Sequence, residues 1–399
     1  MDSVLMAGSA PETGTMPAGE QGAVGLGVIG LGAFGRFCLE AYVTMPGIRV
    51  VALADPDPDA LAAGTTLAPQ ALAYTDPGLL LGLPEVEVVA ICAPPDRHLT
   101  LVLAAVVAGK HIVCDKPLGV SLAEYDTAVA AAAARGVALG LNLVLRHHRL
   151  YRALHALAQS QVLGAPRRLA VENYADEGRG FGPEHWLWDP ARSGGLALAS
   201  DIHWLDLATR LLSPAHEVHT WEYTGGECGG PGPRRLVTTA HPCGAVASVY
   251  HAFDTRPGAT GCTVLVGFEE GEARVDGWMP RRLSVTCPPD RLVAVSTLLG
   301  ATGVPAVSSA EDSRALLTLL GGADRRSDYL EMVRTTLRVV LAKARGQGDG
   351  TDLASARAAT AAAVAAELAA VTRTWVRIDA NGPLDATGMG QRWQQPQAM

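Results

Sequence analysis

Short apolar segments alternate with stretches of helical periodicity from residue 24 to about residue 145. The apolar segments are nearly continuous, as in strands that are covered on both faces of a sheet. Regular alternation of strand and helix predicts a parallel sheet with crossover helices. The predicted strands lie at 25–30, 48–54, 86–92, 111–114 and 137–144, and the predicted helices at 34–44, 97–108 and 122–135.

The pattern changes after Arg146, where Val- and Thr-rich segments follow one another with Gly and Pro turns between them. Successive strands without intervening helices predict a largely antiparallel sheet. These strands are predicted at 165–175, 217–224, 234–240, 244–253, 261–268 and 272–277, with helices at 201–212, 327–345 and 352–373. The sequence therefore predicts an α/β domain over 24–145 and an α+β domain over 146–379 with a large, open, mostly antiparallel sheet.

Composition narrows the class of protein. The 399 residues are enough for two domains with substantial cores. A formal net charge of −8, with dispersed Lys and Arg, argues against nucleic acid or an anionic membrane as partner. Seven scattered cysteines without a C-x-x-C pair or metal-ligand spacing predict reduced thiols in the cytoplasm and no metal site. Residues 1–23, which lack a basic segment, and the polar residues 380–399 are interpreted as loose tails.

A glycine pattern marks the start of the first domain. Gly30 permits a tight turn from strand to helix, Gly32 allows close approach of a pyrophosphate, and Gly35 lets the helix pack on the strand. The next predicted strand ends at Asp55, where such folds place a carboxylate that binds the adenosine ribose. This spacing predicts a Rossmann dinucleotide-binding domain. Because Asp55 and the acidic residues after it would repel a 2′-phosphate, NAD is expected to bind better than NADP.

Four further motifs make the pattern more specific. They are Ile-Cys-Ala-Pro-Pro-Asp-Arg-His at 91–98, Gly-Lys-His-Ile-Val-Cys-Asp-Lys-Pro-Leu at 109–118, Ser-Gly-Gly at 193–195 followed by His-Trp-Leu-Asp at 203–206, and Gly-Glu-Ala-Arg-Val-Asp-Gly-Trp at 271–278. In this order they resemble the Gfo/Idh/MocA family of NAD(P)-dependent oxidoreductases, which act mostly on sugars, cyclitols and related polyols. The resemblance extends from about residue 24 to residue 378.

The resemblance implies a set of functional residues. Lys116 matches the family's active-site lysine, in an Asp-Lys-Pro tripeptide where the family has Glu-Lys-Pro, and His203 matches its active-site histidine. The implied cofactor-binding residues are Gly30, Gly32, Ala33, Phe34, Gly35, Asp55, Pro94, His98, Asp115, Lys116 and Asn142. One departure concerns the position four residues before His203, where family members commonly carry Asp and this chain has Ala199.

The chemistry expected of these residues is acid–base and electrostatic. Removing a hydroxyl proton as hydride leaves carbon suits an imidazole, here His203, and the Lys116 ammonium can stabilise the developing alkoxide. Asp206 lies three residues after His203 and shares its helix face, so it is expected to orient the ring more than Asp201 does. Asp201 becomes a direct catalytic or substrate-binding residue if the helix begins later than predicted.

Two other features allow alternative interpretations. Arg146, within Arg-His-His-Arg at 146–149, could bind a substrate phosphate or lie on an exposed helix start. Trp186, in an aromatic cluster before the Gly-Gly turn, could line a sugar-binding pocket or pack in the core.

Two classes of function remain open. The first is an NAD-dependent oxidoreductase for a secondary alcohol or ketone of a sugar, aminosugar or cyclitol, with an NAD-dependent glycosidase as a variant. The second is a cofactor-binding regulator or sensor without turnover, which Ala199 makes conceivable. A homodimer or homotetramer is expected, because an open sheet leaves one face to be covered.

Overall fold

The computed structural model describes residues 22–176, 181–182, 184–223, 233–256, 258–300, 306–311, 314–320, 322, 324–348 and 350–383. Both predicted tails lie almost entirely outside these ranges.

The first domain is a parallel six-stranded sheet in the order β3-β2-β1-β4-β5-β6, as the alternating pattern predicted. The prediction omitted β3, α2 and α3, and the predicted strand at 137–144 is shorter, because a 3₁₀ turn begins at Val144. The elements are β1 (Val24–Ile29), α1 (Ala33–Val43), β2 (Ile48–Ala54), α2 (Pro58–Leu67), β3 (Leu72–Tyr74), α3 (Pro77–Leu81), β4 (Val88–Ile91), α4 (Pro95–Val107), β5 (His111–Cys114), α5 (Leu122–Arg135) and β6 (Leu139–Leu141).

The second domain is built on an eleven-stranded sheet in the order β14-β15-β13-β12-β11-β7-β10-β9-β8-β16-β17. Strands β7 and β10 pair in parallel and the other pairs are antiparallel, so the predicted large, mostly antiparallel sheet is confirmed. Its strands are β7 (Pro166–Tyr174), β8 (Glu217–Tyr223), β9 (Arg234–Ala240), β10 (Val246–Ala252), β11 (Gly261–Phe268), β12 (Glu272–Asp276), β13 (Arg282–Cys287), β14 (Ala306–Glu311), β15 (Arg314–Leu320), β16 (Val376–Asp379) and β17 (Gly382–Pro383).

Helices cover one face of this sheet and part of the parallel sheet of the first domain. The helices are α6 (Arg149–Ser160), α7 (Pro190–Ser193), α8 (Ile202–Leu211), α9 (Leu292–Gly300), α10 (Arg325–Ala344) and α11 (Leu353–Thr372), and a π-helical turn (Ala197–Asp201) precedes α8. Although α10 belongs to the sequence range of the second domain, it packs on β5, β6 and α1 of the first. It therefore helps to cover the parallel sheet, which is buried on both faces.

The large sheet has an apolar inner face and an exposed outer face. Val171, Val237, Val249, Val264 and Val275 lie side by side in register on five neighbouring strands, and each is at most 1% exposed. This row forms the centre of the second core, since alternate residues of a strand face opposite sides of the sheet.

Helix α11 is apolar over most of its length. By length and composition it could cross a membrane, yet 67% of its most apolar window is buried within the chain. It packs against α8, β8 and α5.

Candidate active site

The turn between β1 and α1 has the geometry that the glycine pattern predicts. Gly30 has a φ of +90°, a conformation that glycine adopts without strain. A Cβ on Gly35 would lie 2.0 Å from the Gly30 carbonyl oxygen, so only glycine allows helix and strand to pack this closely. A Cβ on Gly32 would meet no atom within 4 Å, and no side chain caps the helix there. The N-terminus of α1, at Ala33 and Phe34, is therefore open to an anionic group such as a pyrophosphate.

Asp55 follows β2 and reaches the same turn. Its Oδ2 accepts a hydrogen bond of 2.6 Å from the backbone N–H of Leu31, and its Oδ1 accepts one of 2.9 Å from the N–H of Asp57. These two bonds hold the carboxylate at the end of the strand, where the sequence placed it.

The predicted cofactor role of His98 needs correction. Pro94 caps α4, as expected for a loop at a strand end, but the His98 side chain is fully buried. Its Nδ1 lies 2.5 Å from the carbonyl oxygen of Pro117 and its Nε2 lies 2.7 Å from that of Ala93. A ring enclosed in this way connects the loops after β4 and β5, so His98 positions those loops and does not face a cofactor.

A cavity of about 540 Å³ lies where the carboxyl ends of β5 and β6 meet the second domain. Asp115, Lys116 and Asn142 line it from the first domain, and His203 lines it from the second. Residues more than sixty positions apart in sequence are thus brought to one site. Ligands of open α/β sheets bind at this edge.

The charged residues after β5 are held by specific bonds. The Lys116 ammonium donates to the backbone carbonyl oxygen of Ala199. Asn142 hydrogen-bonds the Asp115 carboxylate and accepts a bond of 3.1 Å from the Thr336 hydroxyl. Burial raises the pKa of Asp115 above its usual value, and the nearby Lys116 charge opposes that rise. Lys116 therefore contacts the backbone of the position where relatives commonly carry a carboxylate.

His203 lies in the first turn of α8, just after the π-helical turn. Its ring stands edge-on to the indole of Trp278, with centroids 5.0 Å apart. Its Nδ1 is buried without a hydrogen-bond partner among the described residues. Burial, and then the positive charge of Lys116, hold the pKa of His203 well below its usual value of 6.5. The imidazole is therefore neutral at neutral pH.

The structure contradicts the expectation that Asp206 orients His203. Both oxygens of Asp206 accept hydrogen bonds from Arg146, at 2.8 Å from Nε and 2.5 Å from Nη2. Arg146 also donates to the carbonyl oxygens of Thr351 and Asp352. Arg146 does not line the large cavity, and its guanidinium is held by Asp206 and by these two carbonyl oxygens. The Arg146–Asp206 pair is buried. A buried carboxylate needs a cationic partner, and here the fold brings Arg146 to it rather than His203.

Asp201 also has a different role from either one predicted. It is fully buried in the last position of the π-helical turn and does not line the cavity. Its Oδ1 lies 2.7 Å from Nδ1 of His251, and its Oδ2 lies 3.7 Å from Nε of Arg235. Arg235 in turn contacts Glu367, at 2.7 Å. Asp201 is therefore a buried structural partner of His251 and not a direct site residue.

Several residues that line the cavity were not predicted from the sequence, among them His251 and Asn173. His251 and Asn173 lie opposite each other on β10 and β7, and the His251 Nε2 is 2.8 Å from the Asn173 Nδ2. Both occupy the inner face of the sheet, two residues after the buried Val249 and Val171. A polar residue at an apolar position of an alternating strand is the signal that could have revealed them.

In the aromatic cluster before the Gly-Gly turn, one tryptophan lines the cavity and another packs against a neighbouring aromatic ring. Trp186 lines the cavity together with Phe181 and His185, whose rings stack 4.1 Å apart. Trp188 instead packs edge-on against Phe253, with ring centroids 6.0 Å apart.

Family models match both domains. Residues 24–143 match the oxidoreductase family model described as an NAD-binding Rossmann fold, and residues 151–273 match the Gfo/Idh/MocA C-terminal domain. The fold and the phosphate-binding turn thus define the class of NAD-binding oxidoreductase folds. The chain belongs to the Gfo/Idh/MocA family.

Named relatives agree with this assignment. Inositol 2-dehydrogenase of Pseudomonas fluorescens is 38% identical over 152 residues, which are 36% of this chain and 44% of the relative. The 1,5-anhydro-D-fructose reductase of Ensifer adhaerens is 29% identical over 245 residues, which are 60% of this chain and 72% of the relative. The chain thus spans about half the length of the first curated relatives that it matches, 44% and 54%.

One solved structure extends the similarity over both domains. Levoglucosan dehydrogenase in complex with NADH superposes with a TM-score of 0.74 and covers 90% of this chain and 99% of its own. At 19% identity, this similarity shows the shared fold.

Proposed function

We propose that the protein is an NAD-dependent oxidoreductase that transfers hydride between nicotinamide and a secondary alcohol or ketone of a sugar, aminosugar or cyclitol. The observation that carries this proposal is the convergence of Lys116, Asn142 and His203 on one cavity at the carboxyl edge of the parallel sheet. Relatives named as inositol dehydrogenase and anhydrofructose reductase support the substrate class.

The residues of the first domain fit NAD. The open space at Gly32 and the uncapped N-terminus of α1 suit a pyrophosphate, and Asp55 suits a ribose diol. When bound, NAD supplies the acceptor or donor of hydride. Asp115 and Asn142 border the cavity on the cofactor domain, and their mutual hydrogen bond keeps both side chains oriented.

Lys116 and His203 act at the reacting oxygen. The Lys116 ammonium stabilises negative charge on that oxygen, because a cation is most effective in a site that excludes water. His203, neutral at working pH, accepts the hydroxyl proton during oxidation and returns it during reduction. The bond from Lys116 to the Ala199 carbonyl keeps the ammonium at this wall of the cavity.

The opposite wall suits a polyhydroxylated ring. Asn173 offers its amide oxygen to substrate hydroxyls, and His251, which is held by its bond to Asp201, fixes the orientation of that amide. Trp186 and Trp278 offer aromatic faces, against which the apolar faces of sugar rings pack.

The test is a panel of inositols, sugars and their keto forms with NAD or NADH, monitored by nicotinamide absorbance. Turnover of at least one cyclic polyol is expected. Saturable NAD binding with no turnover on any member of the panel would support the regulator interpretation instead. Release of a sugar from a glycoside without net NADH formation would indicate the glycosidase.

A matched pair of lysine variants tests the site itself. Lys116→Ala is expected to lower kcat by about 100-fold or more, because one stabilising group at the reacting oxygen is removed. Lys110 precedes the first residue of β5, at the end of the strand away from Lys116, and does not line the cavity. Lys110→Ala is therefore the control. Equal activities of the two variants would place Lys116 outside the chemistry.

A further inference from the structure

A second, smaller cleft lies on the other side of His203. It has a volume of about 180 Å³ and runs between α6 and α8. Arg152 and His155 line it from α6, and His203 and Arg210 line it from α8. The buried pair of Arg146 and Asp206 also borders it. His203 therefore separates this cleft from the large cavity.

The charges around the cleft do not balance. Asp206 is occupied on both oxygens by Arg146, and Asp352 lies 4.0 Å from the same guanidinium. Within the described ranges neither Arg152 nor Arg210 has a carboxylate oxygen within 4 Å of its guanidinium. The cleft thus holds two guanidinium groups that form no ion pair within the described residues, although Asp206 and Asp352 lie near Arg210.

The pKa values of neighbouring groups shift in the direction expected for excess positive charge. Burial, and then repulsion by Arg146, lower the pKa of Arg210, although Asp206 and Asp352 oppose this effect. The pKa of His155 is also lowered, by burial and then by Arg210. The pKa of His147, next to Arg146, falls to about 4 because of burial and of the three arginines. An anion in the cleft would relieve these penalties.

We propose that this cleft binds a small oxyanion, with inorganic phosphate as the probe, through the guanidinium groups of Arg152 and Arg210. Planar guanidinium groups bind phosphate and carboxylate oxygens in bidentate fashion, which suits them to this ligand class. The volume is below the roughly 300–1,000 Å³ of typical small-molecule pockets, so a phosphate or one carboxylate fits and a nucleotide does not.

The position of the cleft would let a bound anion influence the active site through His203. His203 lines both cavities and Lys116 lines only the large one, so an anion in the cleft would lie near the His203 ring in a different cavity from Lys116. Its negative charge would favour the protonated ring, whereas Lys116 disfavours it. Binding itself needs no turnover, so this inference is independent of the proposed function.

The experiment is a titration of the full chain with inorganic phosphate at constant ionic strength, followed by calorimetry. Saturable binding is expected, and Arg210→Gln and Arg152→Gln are each expected to weaken it about tenfold, as loss of a charge-assisted contact does. Arg135→Gln, which removes an exposed arginine from the end of α5, is the control and should bind phosphate like the parent. Thermal unfolding of each variant establishes that it is folded, and Arg152 is exposed, so its replacement is compatible with folding.

A second arm separates the cleft from the phosphate-binding turn of the first domain. The titration is repeated with saturating NAD, which occupies the turn, and phosphate binding should persist. Binding that NAD abolishes, binding that is equal in the parent and both cleft variants, or no saturable binding up to about 100 mM would each overturn the proposal.

Discussion

Both carboxylate oxygens of Asp206 accept hydrogen bonds from a single guanidinium, that of Arg146, and both side chains are buried. Breaking a buried ion pair leaves a charge without a partner, at a cost of about 3–5 kcal/mol. Asp206→Asn is therefore expected to lower the free energy of unfolding by about 3 kcal/mol, measured by denaturant titration. The acidic limb of the pH profile of turnover, which lies below pH 6.5 because burial lowers the pKa of His203, is expected to stay in place, whereas His203→Asn should abolish it.

A surface pair provides the control. Glu270 and Arg291 form an ion pair in which each side chain is 43% exposed. Glu270→Gln is expected to lower the free energy of unfolding far less than Asp206→Asn does, because solvent screens such pairs. If Asp206→Asn shifts the pH limb without loss of stability, Asp206 acts on the His203 ring after all.

The contact between His251 and Asp201 leads to a prediction about substrate binding. His251→Gln removes the ring that orients the Asn173 amide at the cavity wall and is expected to raise the KM for the polyol by about tenfold, the effect of one lost hydrogen bond. The Kd for NAD should not change. His241 is equally buried but bonds Thr239 and Ser213 away from the cavity, so His241→Gln should leave the KM unchanged. Equal effects of both variants on the KM would contradict the assignment of His251 to the cavity wall.

Asp55 predicts the choice of cofactor. A carboxylate held at the end of β2 accepts hydrogen bonds from a ribose diol and repels a 2′-phosphate, so NADH should bind more tightly than NADPH by roughly 1–3 kcal/mol. Asp55→Ala should narrow this difference, as measured by fluorescence titration with each cofactor. The exposed Glu85 precedes β4, at the opposite end of the parallel strands from Asp55, so Glu85→Ala is the control and should leave the difference unchanged. Equal affinity of the parent for NADH and NADPH would contradict the prediction.

Buried histidines predict how stability depends on pH. Burial lowers the pKa of His148 to about 4. Since histidine titrates near 6.5 in an unfolded chain, the unfolded state binds more protons than the folded state between about pH 4 and 6.5, and stability rises with pH across that window. His203 and His147 shift in the same direction.

The matched variant is His148→Asn, which keeps a side-chain acceptor for the N–H of Leu150 at the start of α6. The fall in unfolding free energy from pH 6.5 to pH 4 should be smaller in this variant by roughly 3 kcal/mol. Unfolding measured by denaturant at several pH values provides the comparison. An unchanged dependence on pH would show that His148 is protonated in the folded protein without penalty.

The outer face of the large sheet predicts self-association. Trp221 and Leu236 are cross-strand neighbours on β8 and β9, and they are 51% and 37% exposed. Contiguous exposed apolar surface on a sheet favours an interface, so we expect a homodimer or homotetramer. Trp221→Glu should lower the mass measured by sedimentation, whereas Val107→Glu, at an exposed position on α4, should not. A monomeric parent would contradict the prediction.

The elements that the sequence located best are those whose periodicity is set by burial on a regular face. Strands β2, β5, β9 and β11 and helix α5 begin and end at the predicted residues. Helix α6 begins at Arg149, within the segment where a helix start was one of the two alternatives. Its extent was not predicted, although Leu150, Leu154 and Leu157 have helical spacing and are fully buried.

The sequence by itself determined the succession of the two sheets and the NAD-binding turn, because each depends on residues close together in the chain. The candidates Lys116 and His203 came from motifs that resemble those of a known family. The tertiary structure alone decided which charges pair. Asp206 and Arg146 are 60 residues apart, and Asp201 and His251 are 50 apart. A buried carboxylate must be neutralised by whichever donor the fold brings to it, and helical spacing next to His203 could not reveal that donor.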